Sequence, residues 1–311
     1  MKRAFLFPGQ GAQYVGMGKD IYEKYPEAKK IFDDVEKIAG IDVKKICFEG
    51  PEEELLKTQN AQIAILTTSL AILEVLKKKG ISADIALGLS LGEYGALIYS
   101  GIISFEDGIK LIKKRGQYMG ELVPKAEYAM AAVIGTETDL IEKECSKIRE
   151  EGNFVVPANY NCKTQTVISG ELEAIDIAIE RLKEAGVRKI IKLKTGGPFH
   201  TEKLVEAKKE YEKELAKIEF NNPSIDVIKN LDGSVYTKED NIKQILANHI
   251  INPVRLDKAI KYMEKEKIEE YIEIGPGKAL TGFIKKDIKE AKVVNISNVD
   301  TLEEYINKGE I

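Results

Sequence analysis

"IALGLSLGEYGAL" fills residues 85–97 and decides how the rest of the chain is read. Its first five residues are apolar or glycine, have the length of a buried strand, and run straight into Ser90. Residues 91–100 then carry a helical pattern. Gly88, Ser90 and Gly92 give the spacing G-x-S-x-G at this strand-to-helix junction. A corner that tight admits only glycine two residues before and two residues after the serine, and it pushes the hydroxyl out of the sheet. The N-terminus of the helix behind it favours negative charge developing there. Chance gives on the order of 0.06 such spacings in a chain of this composition. The junction reads as a nucleophilic serine, Ser90, against the plainer reading of a βα turn built from small residues.

Outward from this junction, short β-type runs alternate with longer helical ones. "RAFLF" (3–7) is a buried-strand candidate ending at Pro8-Gly9, and residues 20–38 and 61–79 read as helices. The second helix is apolar almost all round and should be buried. Ser104 caps the next helix, with Glu106 and Asp107 in its first turn. This alternation argues for an α/β protein with a parallel sheet covered by helices. From residue 128 the texture changes. Strands at 128–135, 153–158, 164–169 and 187–193 and helices at 138–150 and 171–185 follow the order β-α-β-β-α-β, a ferredoxin-like pattern. The expected organisation is a small subdomain, 128–196, inserted into a larger domain made of 1–127 and 197–311. In the second part of the larger domain, helices are expected at 200–217, 239–247, 253–265, 278–287 and 300–307. Strands are expected there at 225–229, 269–274 and 292–296.

Composition narrows the function classes. A chain of 311 residues is long for one core. Hydrophobic residues make up 43% and charged residues 32%, as in a soluble globular protein. A net charge of −4 gives no reason to expect nucleic-acid or membrane-surface binding. Three cysteines (Cys47, Cys145 and Cys162) lack paired or metal-like spacing and read as reduced thiols in a cytoplasmic setting. The apolar stretch of "MKRAFLFPGQ" is too short for a signal peptide, and "IAILTTSLAILEVL" carries threonines, a serine and a glutamate that argue against a membrane span.

A nucleophilic serine needs a base, and only His200 and His249 are available. His200 sits in "TGGPFHTEKL", at a loop-to-helix start where catalytic groups of parallel sheets collect. A lone histidine making one structural hydrogen bond is the alternative there. His249 lies in an amphipathic run and alone looks structural. Arg115 stands in "IKKRGQYM", which resembles a solvated basic face. On a helical wheel, however, Arg115 falls with Leu111, Ile112, Tyr118, Met119 and Leu122, while Lys110, Lys113 and Lys114 fall opposite. An inward guanidinium needs an anionic partner, either an internal carboxylate or that of a substrate. "FPGQGAQ" (7–13), directly after the first strand, lacks the spacing of a phosphate loop and suits backbone donors to an oxyanion better.

These motifs together resemble the malonyl-CoA:acyl carrier protein transacylases, and more broadly the acyltransferase domains of fatty-acid and polyketide synthases. In order, the matching stretches are "FPGQGAQ", "TQNAQIAILTTSLA" (58–71), "GLSLGEY" (88–94), "KKRGQYM" (113–119), "AMAAVIG" (129–135) and "ANYNCKTQTVISG" (158–170). "GPFHT" (197–201), "NPVRL" (252–256) and "EIGPGKALTGFIKK" (273–286) complete them. The resemblance implies an α/β-hydrolase-like large domain carrying the ferredoxin-like insert. It implies that Ser90 is acylated, that His200 is its base, and that Arg115 binds the malonyl carboxylate. Backbone N–H groups of Gln10 and Leu91 would form the oxyanion hole, and the His249 carbonyl would orient His200. Gln62 and Asn161 match polar pocket positions. Phe199 matches the form associated with malonyl over methyl-branched units. Two positions depart from the family pattern: Leu89 stands where histidine is usual, and Ile63 where proline is usual.

The implied reaction is a ping-pong transfer of malonyl from malonyl-CoA to the phosphopantetheine thiol of acyl carrier protein. It requires no metal or redox cofactor, and a monomer is the default expectation. A serine esterase or thioesterase would use the same pair of side chains with water as acceptor. Such a hydrolase should supply an acid between serine and histidine in the chain and a histidine near the C-terminus. A non-catalytic acyl-binding subunit of a synthase complex is the remaining alternative.

Overall fold

A computed structural model describes residues 1–194 and 197–309. Its strands, among these residues, are β1 (Arg3–Phe7), β2 (Ile85–Gly88), β3 (Tyr128–Ile134), β4 (Val155–Cys162), β5 (Gln165–Glu171), β6 (Lys189–Lys192), β7 (Asp226–Val227), β8 (Val254–Arg255), β9 (Glu270–Ile274) and β10 (Lys292–Ile296). β1 is the centre of a parallel sheet ordered β10-β9-β1-β2-β7. Alternate residues of β1 feed opposite faces. Phe5 and Phe7 join an apolar cluster with the helix Thr58–Lys78, and Ala4 and Leu6 join another with Leu280, Phe283 and Ile284. A parallel sheet covered on both faces needs continuous apolar strands, which is why "RAFLF" does not alternate. The helix Thr58–Lys78 is long and apolar enough to cross a membrane by composition, but its most apolar window is 83% buried inside the protein.

The second sheet is ordered β6-β3-β5-β4-β8. β3 pairs antiparallel with β5 and β6, and β4 pairs antiparallel with β5. Helices Thr138–Glu150 and Leu172–Glu184 pack with it around Ala131, Val133, Ile168, Ile175 and Leu182. β8 comes from the C-terminal part of the chain and pairs in parallel with Asn159 and Tyr160 of β4, so the second sheet is completed by a strand from outside 128–196. The expected subdomain edge at 196 lies outside the described residues.

Several expected elements are corrected. The helix expected at 20–38 is two, Lys19–Lys24 and Pro26–Ala39. Pro26 lacks an N–H and holds Tyr25 in an extended conformation, so the first helix must stop there. The helix expected from 253 starts at Leu256, because Val254 and Arg255 are used as strand. The helix expected from 200 starts at Val205, after a short turn at Glu202–Leu204. Short helices Val43–Phe48 and Glu52–Leu56 were not expected.

The corner after β2 is as tight as its glycines require. A Cβ on Gly88 would stand 1.9 Å from the carbonyl carbon of Gly92, and a Cβ on Gly92 would stand 2.2 Å from the carbonyl oxygen of Phe7. Only hydrogen fits at either position. Ser90, between them, adopts φ 54° and opens a short 3₁₀ turn, Ser90–Gly92, which leads into the helix Glu93–Tyr99.

Candidate active site

Three non-glycine residues among those described have positive φ, and two of them are Ser90 and His200, with φ 54° and 58°. Such backbone costs on the order of 1–3 kcal/mol and persists where surrounding structure enforces it. Here the two strained residues meet: Ser90 Oγ lies 2.9 Å from His200 Nε2. His200 Nδ1 faces the His249 carbonyl oxygen at 2.8 Å. That carbonyl can only accept, so Nδ1 carries the proton and Nε2 is left to accept from the Ser90 hydroxyl.

His200 is 3% exposed. Burial, reinforced by the nearby His249 ring and Arg115 guanidinium, holds its ring well below the usual imidazole range. The neutral, proton-accepting form therefore persists as pH falls through 6.5. The expected consequence is a kcat/KM for acyl transfer that stays flat from pH 8 to below 6.5, measured as a pH–rate profile. An acid limb at or above 6.5 would contradict this.

Arg115 lies on the helix Phe105–Glu121 and is 1% exposed, as its position on the wheel requires. Its Nη1 donates to Gln62 Oε1 at 2.8 Å and its Nη2 to Ser90 Oγ at 3.1 Å. Its Nε has no hydrogen-bond partner, and the guanidinium carbon stands 5.8 Å from the centre of the Tyr94 ring. Among the described residues no carboxylate forms an ion pair with it. The internal-carboxylate alternative for Arg115 is thus not what the fold provides. An almost fully buried cation with a free N–H and only neutral partners is suited to an anion arriving from outside.

A cavity of about 320 Å³ opens between the two sheets. Ser90, His200, Gln10, Gln62, Asn161 and Phe199 all line it, and so does Leu89. Asn161 is 5% exposed and its Oδ1 has no partner. The Leu91 side chain is buried away from the wall, so its contribution can come only from the backbone. His249 likewise reaches the site through its carbonyl. No group of three His, Cys, Asp or Glu side chains among the described residues is placed to hold a metal ion.

A family model described as an acyl transferase domain matches residues 4–306. The chain belongs to the acyl transferase family. The acyltransferase is 41% identical, over 97% of its own length and 95% of the relative's, to the malonyl CoA-acyl carrier protein transacylase of Bacillus subtilis. A crystal structure of malonyl CoA-acyl carrier protein transacylase from Clostridium perfringens superposes with a TM-score of 0.94 at 43% identity, covering 100% of this chain and 98% of that one. A malonyl-transacylase in complex with its type II polyketide synthase acyl-carrier protein superposes with the same TM-score at 32% identity, covering 99% of this chain and 100% of that one.

Two residues of the site escape the sequence reading. Asn230 accepts from the Ser90 N–H at 2.8 Å and donates to the Gly88 carbonyl at 2.7 Å. Glu93 accepts from the Asn230 N–H at 3.2 Å. For Glu93 a signal was present. It lies one turn before Leu97 on a helix, so a wheel sets it on the buried face, as it does Arg115. Asn230, in "KNLDGS", carries no signal beyond turn composition.

Proposed function

We propose that this acyltransferase moves a malonyl group from malonyl-CoA to the phosphopantetheine thiol of an acyl carrier protein, through a malonyl ester on Ser90. One observation carries the reading: Ser90 Oγ lies within hydrogen-bonding distance of both His200 Nε2 and Arg115 Nη2. The malonyl carboxylate is held by Arg115, whose Nε and Nη2 form one edge of its fork. The Ser90 proton passes to His200 Nε2 as Oγ attacks the thioester carbonyl. Backbone N–H groups of Gln10 and Leu91 receive the oxyanion, and losing one such donor typically costs about 3–4 kcal/mol of barrier. The carbon–sulfur bond then breaks, and the departing CoA thiolate takes the proton from His200. The carrier thiol reverses these steps: it gives its proton to His200, attacks the malonyl ester, and leaves Ser90 free.

His200 is oriented by a carbonyl rather than an acid, which separates the site from the Ser-Asp-His order of a hydrolase. No metal or redox cofactor is required by this sequence of steps. We read residues 1–127 and 197–311 as an α/β-hydrolase-like catalytic domain, and 128–196 as a ferredoxin-like subdomain that forms the other wall of the cleft. Three buried free thiols suit a cytoplasmic setting, and a monomer satisfies the site.

Intact-protein mass spectrometry after incubation with malonyl-CoA tests the reading. A malonyl adduct should map to Ser90 and should be discharged by holo-carrier protein faster than by water. Faster discharge by water would point to a hydrolase, and absence of any adduct would defeat the proposal.

A further inference from the structure

None of the steps above uses Glu93, although it is 1% exposed. Its Oε1 accepts from the Tyr236 hydroxyl at 2.8 Å and from the Asn230 N–H at 3.2 Å. The Asn230 amide clamps both ends of the Gly88–Ser90 corner, as described above. The other carboxylate oxygen, Oε2, lies 2.9 Å from His249 Nδ1, off the line of a hydrogen bond. The His249 ring in turn stacks on His200, with centres 5.0 Å apart and planes at 27°. One buried carboxylate therefore touches the main chain of the residue whose side chain fixes the nucleophile, and the ring of the residue whose carbonyl fixes the base. Burying a charge at this depth is costly unless each contact is made. A network of this kind rigidifies what it holds.

We propose that Glu93 is a positioning residue for acylation, acting on Ser90 through Asn230 and on His200 through His249. The inference rests on the reading of Ser90 as the acylated residue. Glu93→Gln keeps the size of the side chain and one carbonyl oxygen for Tyr236 and Asn230, while removing the negative charge that faces His249.

The test is steady-state transfer kinetics of Glu93→Gln, with a melting curve to confirm folding. The kcat should fall at least about tenfold, since small misplacements of reacting groups are costly. The KM for malonyl-CoA should stay within about twofold, because Arg115 bonds to Gln62 and to Ser90, and neither Arg115 nor Gln62 bonds to Glu93. In an Asn230→Ala background the further loss from Glu93→Gln should fall well short of its loss alone. A wild-type kcat in Glu93→Gln, or fully multiplicative losses, would overturn the proposal. If Glu93→Gln does not fold, Tyr236→Phe removes one donor from the same carboxylate. It should lower kcat at constant KM, and an unchanged kcat would overturn the proposal. Wild-type protein that forms no malonyl-Ser90 would instead defeat the proposed function, and this inference with it.

Discussion

Ser90→Ala should give a folded protein that binds malonyl-CoA and transfers none of it, with kcat lowered by about 10⁴-fold or more. The change is local. Alanine occupies the left-handed backbone at this corner at much the same cost as serine, and the N–H that Asn230 holds is retained. The residue loses only Oγ, which no neighbour can replace: His200 then faces a methyl group, and an acyl group has nowhere to go. Arg115 and Gln62 keep their mutual bond, so the proposed carboxylate site survives. Calorimetry should therefore show malonyl-CoA binding within a few-fold of wild type. Mass spectrometry should show no adduct. Turnover near wild type would remove Ser90 from the mechanism.

What the sequence discloses about this site depends on how local each constraint is. Gly88 and Gly92 are legible because they and Ser90 sit within one corner, where any side chain would strike backbone. Arg115 is legible because its burial follows from the phase of one helix. His200 is legible largely by elimination, since the chain has two histidines. Asn230 is different. It holds Ser90 across 140 residues, and nothing near position 230 encodes that contact. The same holds for Val254 and Arg255, which are strand only because β4 is beside them. The break at Pro26 is another matter: its signal is local and present, and apolar periodicity alone conceals it.

Arg115→Ala should separate binding of the carboxylate from the chemistry at the thioester. Truncating one partner of a buried, hydrogen-bonded charge pair costs about 2–5 kcal/mol, so kcat/KM for malonyl transfer should fall by roughly 30- to 5,000-fold. Transfer of acetyl, which has no carboxylate to place, should be largely spared: Ser90 Oγ loses one donor, but its contact with His200 and the contact of His200 with the His249 carbonyl are made without the guanidinium. The argument extends to stability. In the free protein Arg115 is a cation at 1% exposure whose hydrogen bonds go to a neutral amide and a hydroxyl. An ion left that way works against folding, and its retention makes sense only if a ligand completes it. Arg115→Met, which fills much of the same volume without the charge, should therefore melt no lower than wild type while losing malonyl transfer. Parallel kinetics with malonyl-CoA and acetyl-CoA, beside thermal melts, decide both points. Equal loss of the two activities, together with a lower melting temperature for Arg115→Met, would make the arginine a structural element of the core.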